Sequence, residues 1–105
     1  MYLIREVMYC KPGKVKPMVQ KFLKMNELSG STGMPAMRIM TDFAGGQYWT
    51  VVAEMELASL DEFEKMMSPN PPAGSPNAMK QIEEIMKDYH DLVIKGKREI
   101  YRIEK

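Results

Sequence analysis

The chain has 105 residues, with 15 Lys and Arg against 14 Asp and Glu and a formal net charge of +1. A balance so even excludes the broad electrostatic drive toward nucleic acid or an anionic membrane, and the length allows one domain, 1–105, around one core. The lone cysteine, Cys10, excludes an intrachain disulfide; no apolar run approaches the roughly 20 residues of a membrane helix, and the start lacks a signal peptide's basic and apolar regions, so a cytoplasmic location is expected.

Tyr2 to Cys10 is rich in β-formers and stops at Lys11-Pro12-Gly13, which predicts a first strand ending in a turn. From Lys14 to Leu28, the apolar positions Val15, Met18, Val19, Phe22, Met25 and Leu28 recur at steps of three and four. Lys14, Lys16, Lys21 and Lys24 lie off that stripe, so an amphipathic helix is predicted. Pro17 is tolerated in its opening turn, and Gly30 is the expected C-terminal cap.

A hairpin is predicted about Ala44-Gly45-Gly46. On its first arm Met37, Ile39 and Phe43 alternate with Arg38, Met40 and Asp42. On the second, Trp49, Val51, Ala53, Met55 and Leu57 alternate with Tyr48, Thr50, Val52, Glu54 and Glu56. One face is mostly apolar and the other mixed, because alternate side chains of a strand point to opposite faces. Trp49 is expected among the core residues beside Val51.

Ser59, with Glu62 three places on, forms a capping box for a short helix from Leu60 to Met67. Pro69, Pro71, Pro72, Gly74 and Pro76 make 68–77 a loop, either a surface turn or the cover of a pocket mouth. A long helix is expected from Ala78 to Ile94 on the stripe Ala78, Ile82, Ile85, Met86, Tyr89 and Val93. Gly96 would close it, and Arg98 to Ile103 reads as the last strand.

The order β, α, β, β, α, β predicts an α+β fold of ferredoxin-like type, a four-stranded antiparallel sheet with its helices on one face. The bare face would then expose a broad apolar patch in a monomer, which predicts a homodimer. Twelve methionines suit irregular core and interface packing, with an adaptable ligand pocket as the alternative. No Cys/His spacing accompanies them, so no metal and no cofactor are expected.

The strand order, the length, the turn Lys11-Pro12-Gly13-Lys14, the Gly45-Gly46 hairpin and the run Leu60-Asp61-Glu62-Phe63 resemble the dimeric α+β barrel superfamily, in particular its NIPSNAP-like and antibiotic-biosynthesis-monooxygenase-like branches. The resemblance implies a sheet-to-sheet dimer. Among activities it implies cofactor-independent oxidation of aromatic or quinol substrates, or haem binding and degradation. The histidine, asparagine and tryptophan of haem-degrading relatives are not all matched, since the first strand has no asparagine.

Candidate chemistry sits on the mixed face: Arg38, Asp42, Tyr48, Thr50 and Glu54, joined by Glu6 and by Arg98 or Arg102 from neighbouring strands. An enclosed carboxylate serves as a general base, and Arg or Tyr holds an oxyanion; the same groups serve equally as ion pairs across the sheet, at the barrel rim or in the dimer. His90 is a candidate base near the end of the long helix, or a partly exposed side chain favoured there by the helix dipole. Cys10 lacks an activating partner and reads as structural. Three functions remain open: a dimer binding an apolar or aromatic small molecule between sheet and helices, a cofactor-independent monooxygenase, and a dimerisation module with a filled interior.

Overall fold

In a computed structural model, which describes residues 1–28, 35–67 and 76–105, the elements run β1 (Tyr2–Cys10), α1 (Val15–Glu27), β2 (Arg38–Thr41), β3 (Thr50–Leu57), α2 (Leu60–Met67), α3 (Pro76–Met86), a 3₁₀ turn (Tyr89–Asp91) and β4 (Val93–Arg102). One antiparallel sheet of order β2-β3-β1-β4 joins the strands, which is the ferredoxin-like arrangement. The expected cap at Gly30 and the stretch 68–75 of the proline-rich loop lie outside the described residues. Among those described, no helix is long and apolar enough to cross a membrane.

The core follows from the two periodicities. Met18 and Phe22 of α1 are buried on Cys10, Val51 and Ala53, with Val19, Met25, Met86, Tyr89 and Val93 packed around them. A second cluster joins Ile4, Met55 and Leu57 to Phe63 of α2. Between β1 and α1, Pro12 and Gly13 occupy the middle of a turn closed by Lys14 N–H donating to Lys11 O at 3.0 Å. Gly13 takes φ 77°, which a side chain would resist. Asn26 fastens the end of α1 to the entry of β2: its Nδ2 donates to Met37 O at 2.9 Å, and Met37 N–H donates to its Oδ1 at 2.7 Å. Ser59 caps α2 as expected, its Oγ accepting Glu62 N–H at 3.3 Å, whereas the Glu62 carboxylate reaches one residue past the cap and accepts Ala58 N–H on Oε2 at 3.3 Å.

Three expectations are corrected. The last helix ends at Met86 rather than Ile94, because Asp88 turns the chain in a left-handed conformation of φ 64°. Lys21 of α1 donates from Nζ to Ile85 O at 2.8 Å and Lys87 O at 2.7 Å, satisfying carbonyls where the helix stops. The final strand therefore begins at Val93, and Gly96 lies within it instead of closing a helix. An added Cβ at Gly96 would stand 2.9 Å from Met8 Sδ, so glycine leaves room for that methionine.

Trp49 is no core anchor. Asp42 and Thr50 close the hairpin, with Thr50 N–H donating to Asp42 Oδ1 at 2.8 Å and Asp42 N–H to Thr50 O at 3.2 Å. Everything between them, including Phe43, Tyr48 and Trp49, is loop. Trp49 takes φ 62°, is 44% exposed, and accepts Cys10 N–H on its carbonyl at 2.8 Å.

Candidate functional site: the open sheet face and its groove

The contacts among described residues place α1 and α2 on the sheet face that holds Ile4, Cys10, Val51, Ala53 and Met55. On the opposite face the register builds rungs that cross the whole sheet. Arg38 stands opposite Glu54, Glu54 opposite Arg5, and Arg5 opposite Glu99, so the charges alternate strand by strand. The contacts follow the register. Arg38 Nη2 donates to Glu54 Oε1 at 3.0 Å, Arg5 Nη1 donates to Glu99 Oε1 at 3.2 Å, and Tyr101 OH donates to Glu99 Oε2 at 3.0 Å. Arg5 Nε lies 2.8 Å from Glu54 Oε2 as an ion pair, yet its N–H is not aimed at that oxygen and is closed to solvent.

The adjacent rung is apolar: Met40, Val52 and Val7, ending on Lys97. Val7 is only 4% exposed on this face. The expected broad apolar patch is thus a short apolar rung beside an ionic one. The next rung brings Thr50, Tyr9 and Lys95 together, and both Lys95 Nζ, at 5.3 Å, and Lys97 Nζ, at 5.9 Å, lie near the Tyr9 ring centroid. Hydrogen bonding to Tyr9, reinforced by Glu99, raises the pKa of Lys97 and holds it cationic. Loop residues Asp42, Gly45, Gly46 and Gln47 stand as one wall of a groove of about 540 Å³ floored by Val7, Met40 and Val52, with Arg5, Tyr9, Thr50 and Lys97 along it.

Of the residues singled out in sequence, Arg38 and Glu54 belong to the ionic rung, and Asp42 and Thr50 line the groove while holding the hairpin. Thr50 Oγ1 also donates to Gln47 O at 2.9 Å. Tyr48 does not join them: it is 85% exposed on the loop. Glu6 is not on this face either. It shares the parity of Ile4 and Cys10, stands opposite Arg98, and forms an ion pair with it on the helix side. Arg102 has that same parity, opposite Tyr2. Arg5, Tyr9, Lys97 and Glu99 take their place on the open face. Charge matching is a partial signal for Arg5 and Glu99, since Arg5 needs a glutamate on each neighbouring strand, but Glu54 and Glu56 share one face of β3 and leave two alignments open.

His90 lies in the 3₁₀ turn, exposed, with its ring 4.0 Å from that of Tyr89. It lines a second cleft, of about 530 Å³, with Glu6, Met8, Gly96 and Arg98. Arg98 also lies 5.1 Å from the centroid of Phe63. Cys10 is 1% exposed and burial pushes its thiol pKa upward, the opposite of what a nucleophile needs. Among the described residues no cluster of three His, Cys, Asp or Glu side chains could hold a metal ion.

A two-layer α+β protein with one open, charge-laddered sheet face is what fold and site define. No protein-family model matches the sequence, and no curated protein matches it. Solved structures match by fold. An uncharacterized NIPSNAP-like domain protein from Burkholderia xenovorans superposes with a TM-score of 0.70 at 11% identity, over 98% of this chain and 85% of that one. A candidate antibiotic biosynthesis monooxygenase from Deinococcus radiodurans gives 0.65 at 10% identity, over 100% and 94%. A dimeric protein of unknown function and ferredoxin-like fold from Bacteroides fragilis gives 0.55 at 10% identity, over 97% and 96%. The chain has the fold of the NIPSNAP-like and antibiotic-biosynthesis-monooxygenase-like proteins, and identities this low extend the likeness no further.

Proposed function

We propose that the protein is a homodimer joined through its open sheet faces, and that the enclosed grooves bind a small apolar or aromatic molecule carrying an anionic oxygen. The alternating rung carries this reading. A two-fold axis parallel to the strands reverses the strand order of the partner, so Arg38 meets Glu99 and Glu54 meets Arg5 across the interface. The face is its own electrostatic complement in that orientation, as an isologous contact requires. A groove of about 540 Å³ lies within the range of small-molecule sites, roughly 300–1,000 Å³. Its apolar floor suits a ring or chain, and Lys97 suits an acidic hydroxyl or carboxylate. A neighbour of ferredoxin-like fold is itself described as dimeric, which supports a dimer without specifying its interface.

Sedimentation equilibrium tests this. The wild type is expected at twice its 12.1 kDa chain mass at micromolar concentration, and Val52→Arg, which sets a third cation beside Arg5 and Arg38, is expected as a folded monomer. A monomeric wild type would end the proposal. A dimer that gains no thermal stability from any of a panel of aromatic acids and quinols would leave only the assembly role.

A second reading rests on the helix-side cleft, whose lining includes the Glu6–Arg98 ion pair and His90. In this reading His90 takes a proton from a phenol while Arg98, released from its ion pair with Glu6, holds the phenolate, the opening step of cofactor-independent oxygenation. Oxygen uptake with simple hydroquinones is expected to exceed the uncatalysed rate and to fall at least tenfold, a general-base effect, in His90→Ala. Equal uptake by the two proteins would exclude the reading.

A further inference from the structure

The hairpin loop has no role in the site so far described beyond walling the groove, yet its side chains are costly to leave in water. Phe43 is fully exposed, Tyr48 is 85% exposed and Trp49 is 44% exposed, three aromatics on one loop. Trp49 is held at φ 62°, a conformation that a non-glycine residue adopts only where its surroundings impose it. Solvent-facing aromatic surface concentrated on one loop is a mark of a contact made with something outside the protomer.

The two-fold orientation that matches the ionic rungs also fixes what this loop meets. An axis parallel to the strands keeps the same end of both sheets together and exchanges their edges. The loop joining β2 to β3 in one protomer then lies over the β1 and β4 end of its partner. That end carries Tyr9 between Lys95 and Lys97, an aromatic ring already flanked by two cations.

We infer that the aromatic hairpin loop of each protomer, through Phe43 and Tyr48, packs on Tyr9, Lys95 and Lys97 of the partner subunit and closes the partner's groove, so that each ligand site is built from two chains. This rests on the sheet-to-sheet dimer proposed above and deepens it. Aromatic rings supply large contact area at low conformational cost, and their faces suit the lysine ammonium groups. A protomer alone would hold only an open groove.

Trp49 is the single tryptophan and reports on the loop directly. Its emission is expected to shift to longer wavelength on dilution, in step with dissociation followed by sedimentation. The double variant Phe43→Ala/Tyr48→Ala, whose changes lie on an exposed loop, is expected to keep its far-ultraviolet circular dichroism while its dimer weakens at least roughly tenfold. Tyr9→Ala is expected to weaken it comparably. An equimolar mixture of the two variants, which restores one intact junction in the mixed dimer, is expected to associate more tightly than either alone. A dimeric wild type with concentration-independent Trp49 emission and an unweakened loop variant would overturn the inference while leaving the sheet-to-sheet dimer standing. Mixed variants no tighter than the weaker parent would show that the loop docks elsewhere, which also overturns it. A monomeric wild type would instead defeat the underlying dimer.

Discussion

Glu54→Leu is expected to lose about 2 kcal/mol of stability, a fall of roughly 10 °C in Tm for a domain of this size. Glu54 is the hinge of the ionic rung, its side chain 11% exposed and shared between Arg5 and Arg38. Without it, Arg5 keeps only Glu99, and its solvent-excluded Nε has no neighbouring anion. Removing one partner of a buried pair costs about 3–5 kcal/mol where both ions are fully enclosed. In the lone protomer Arg5 is 32% exposed and Arg38 74%, and in the proposed dimer the partner's Glu99 faces Arg38, so water or that carboxylate recovers part of the loss. The double variant Arg5→Met/Glu54→Leu should regain most of the loss, because apolar side chains of similar size need no desolvation. Urea midpoints of the wild type, both single variants and the double variant check this. Losses that simply add would show that Arg5 and Glu54 act independently, and a Glu54→Leu protein as stable as the wild type would mean that solvent screens the rung entirely.

The larger effect is expected on the other side of the sheet. Phe22 is 3% exposed and touches the cluster of Cys10, Met18, Val51 and Ala53. Phe22→Ala combines lost transfer free energy with an unfilled cavity, about 4 kcal/mol, against a total stability of roughly 5–15 kcal/mol for such a domain. The variant should melt about 20 °C lower. Below its transition it should still dimerise like the wild type, because Phe22 and the open face lie on opposite sides of the sheet. Calorimetry together with sedimentation checks both halves. A loss under 1 kcal/mol would mean that α1 collapses onto the cavity, and dissociation of the folded variant would mean that packing under α1 shapes the interface.

These two substitutions divide the protein as the sequence itself divides. The stripe that buries Phe22 was legible at once, since Val15, Met18, Val19, Phe22 and Met25 repeat with the period of one helical face and no other element competes for them. The cap at Ser59 and the turn at Pro12-Gly13 are legible for the same reason: each is a contact between residues a few places apart. The ionic rung was only half legible. Arg38 and Glu54 show on the hairpin by simple alternation. Arg5 and Glu99 do not, because β1 carries apolar residues at both parities, Ile4 and Cys10 on one face and Leu3 and Val7 on the other. Either face of that strand reads as core until its register against β3 is known, so alternation alone does not assign Glu6 to the helix side, where it pairs with Arg98.

The hairpin loop and the last helix fail in sequence for a related reason. Alternation continues smoothly through Trp49, yet the strand starts at Thr50 because the Asp42 carboxylate takes the Thr50 N–H and closes the ladder there. Helical periodicity continues past Met86, yet the helix stops where Lys21, 64 residues from Ile85, caps its carbonyls. Element order, the α+β class, the helical faces and the Ser59 cap can be read along the chain, because each follows from near neighbours. The facing of β1 and β4, the ends of the hairpin and of α3, and so the membership of the groove come from the folded arrangement. Those depend on strand register and on bonds between distant residues, which local propensity does not encode.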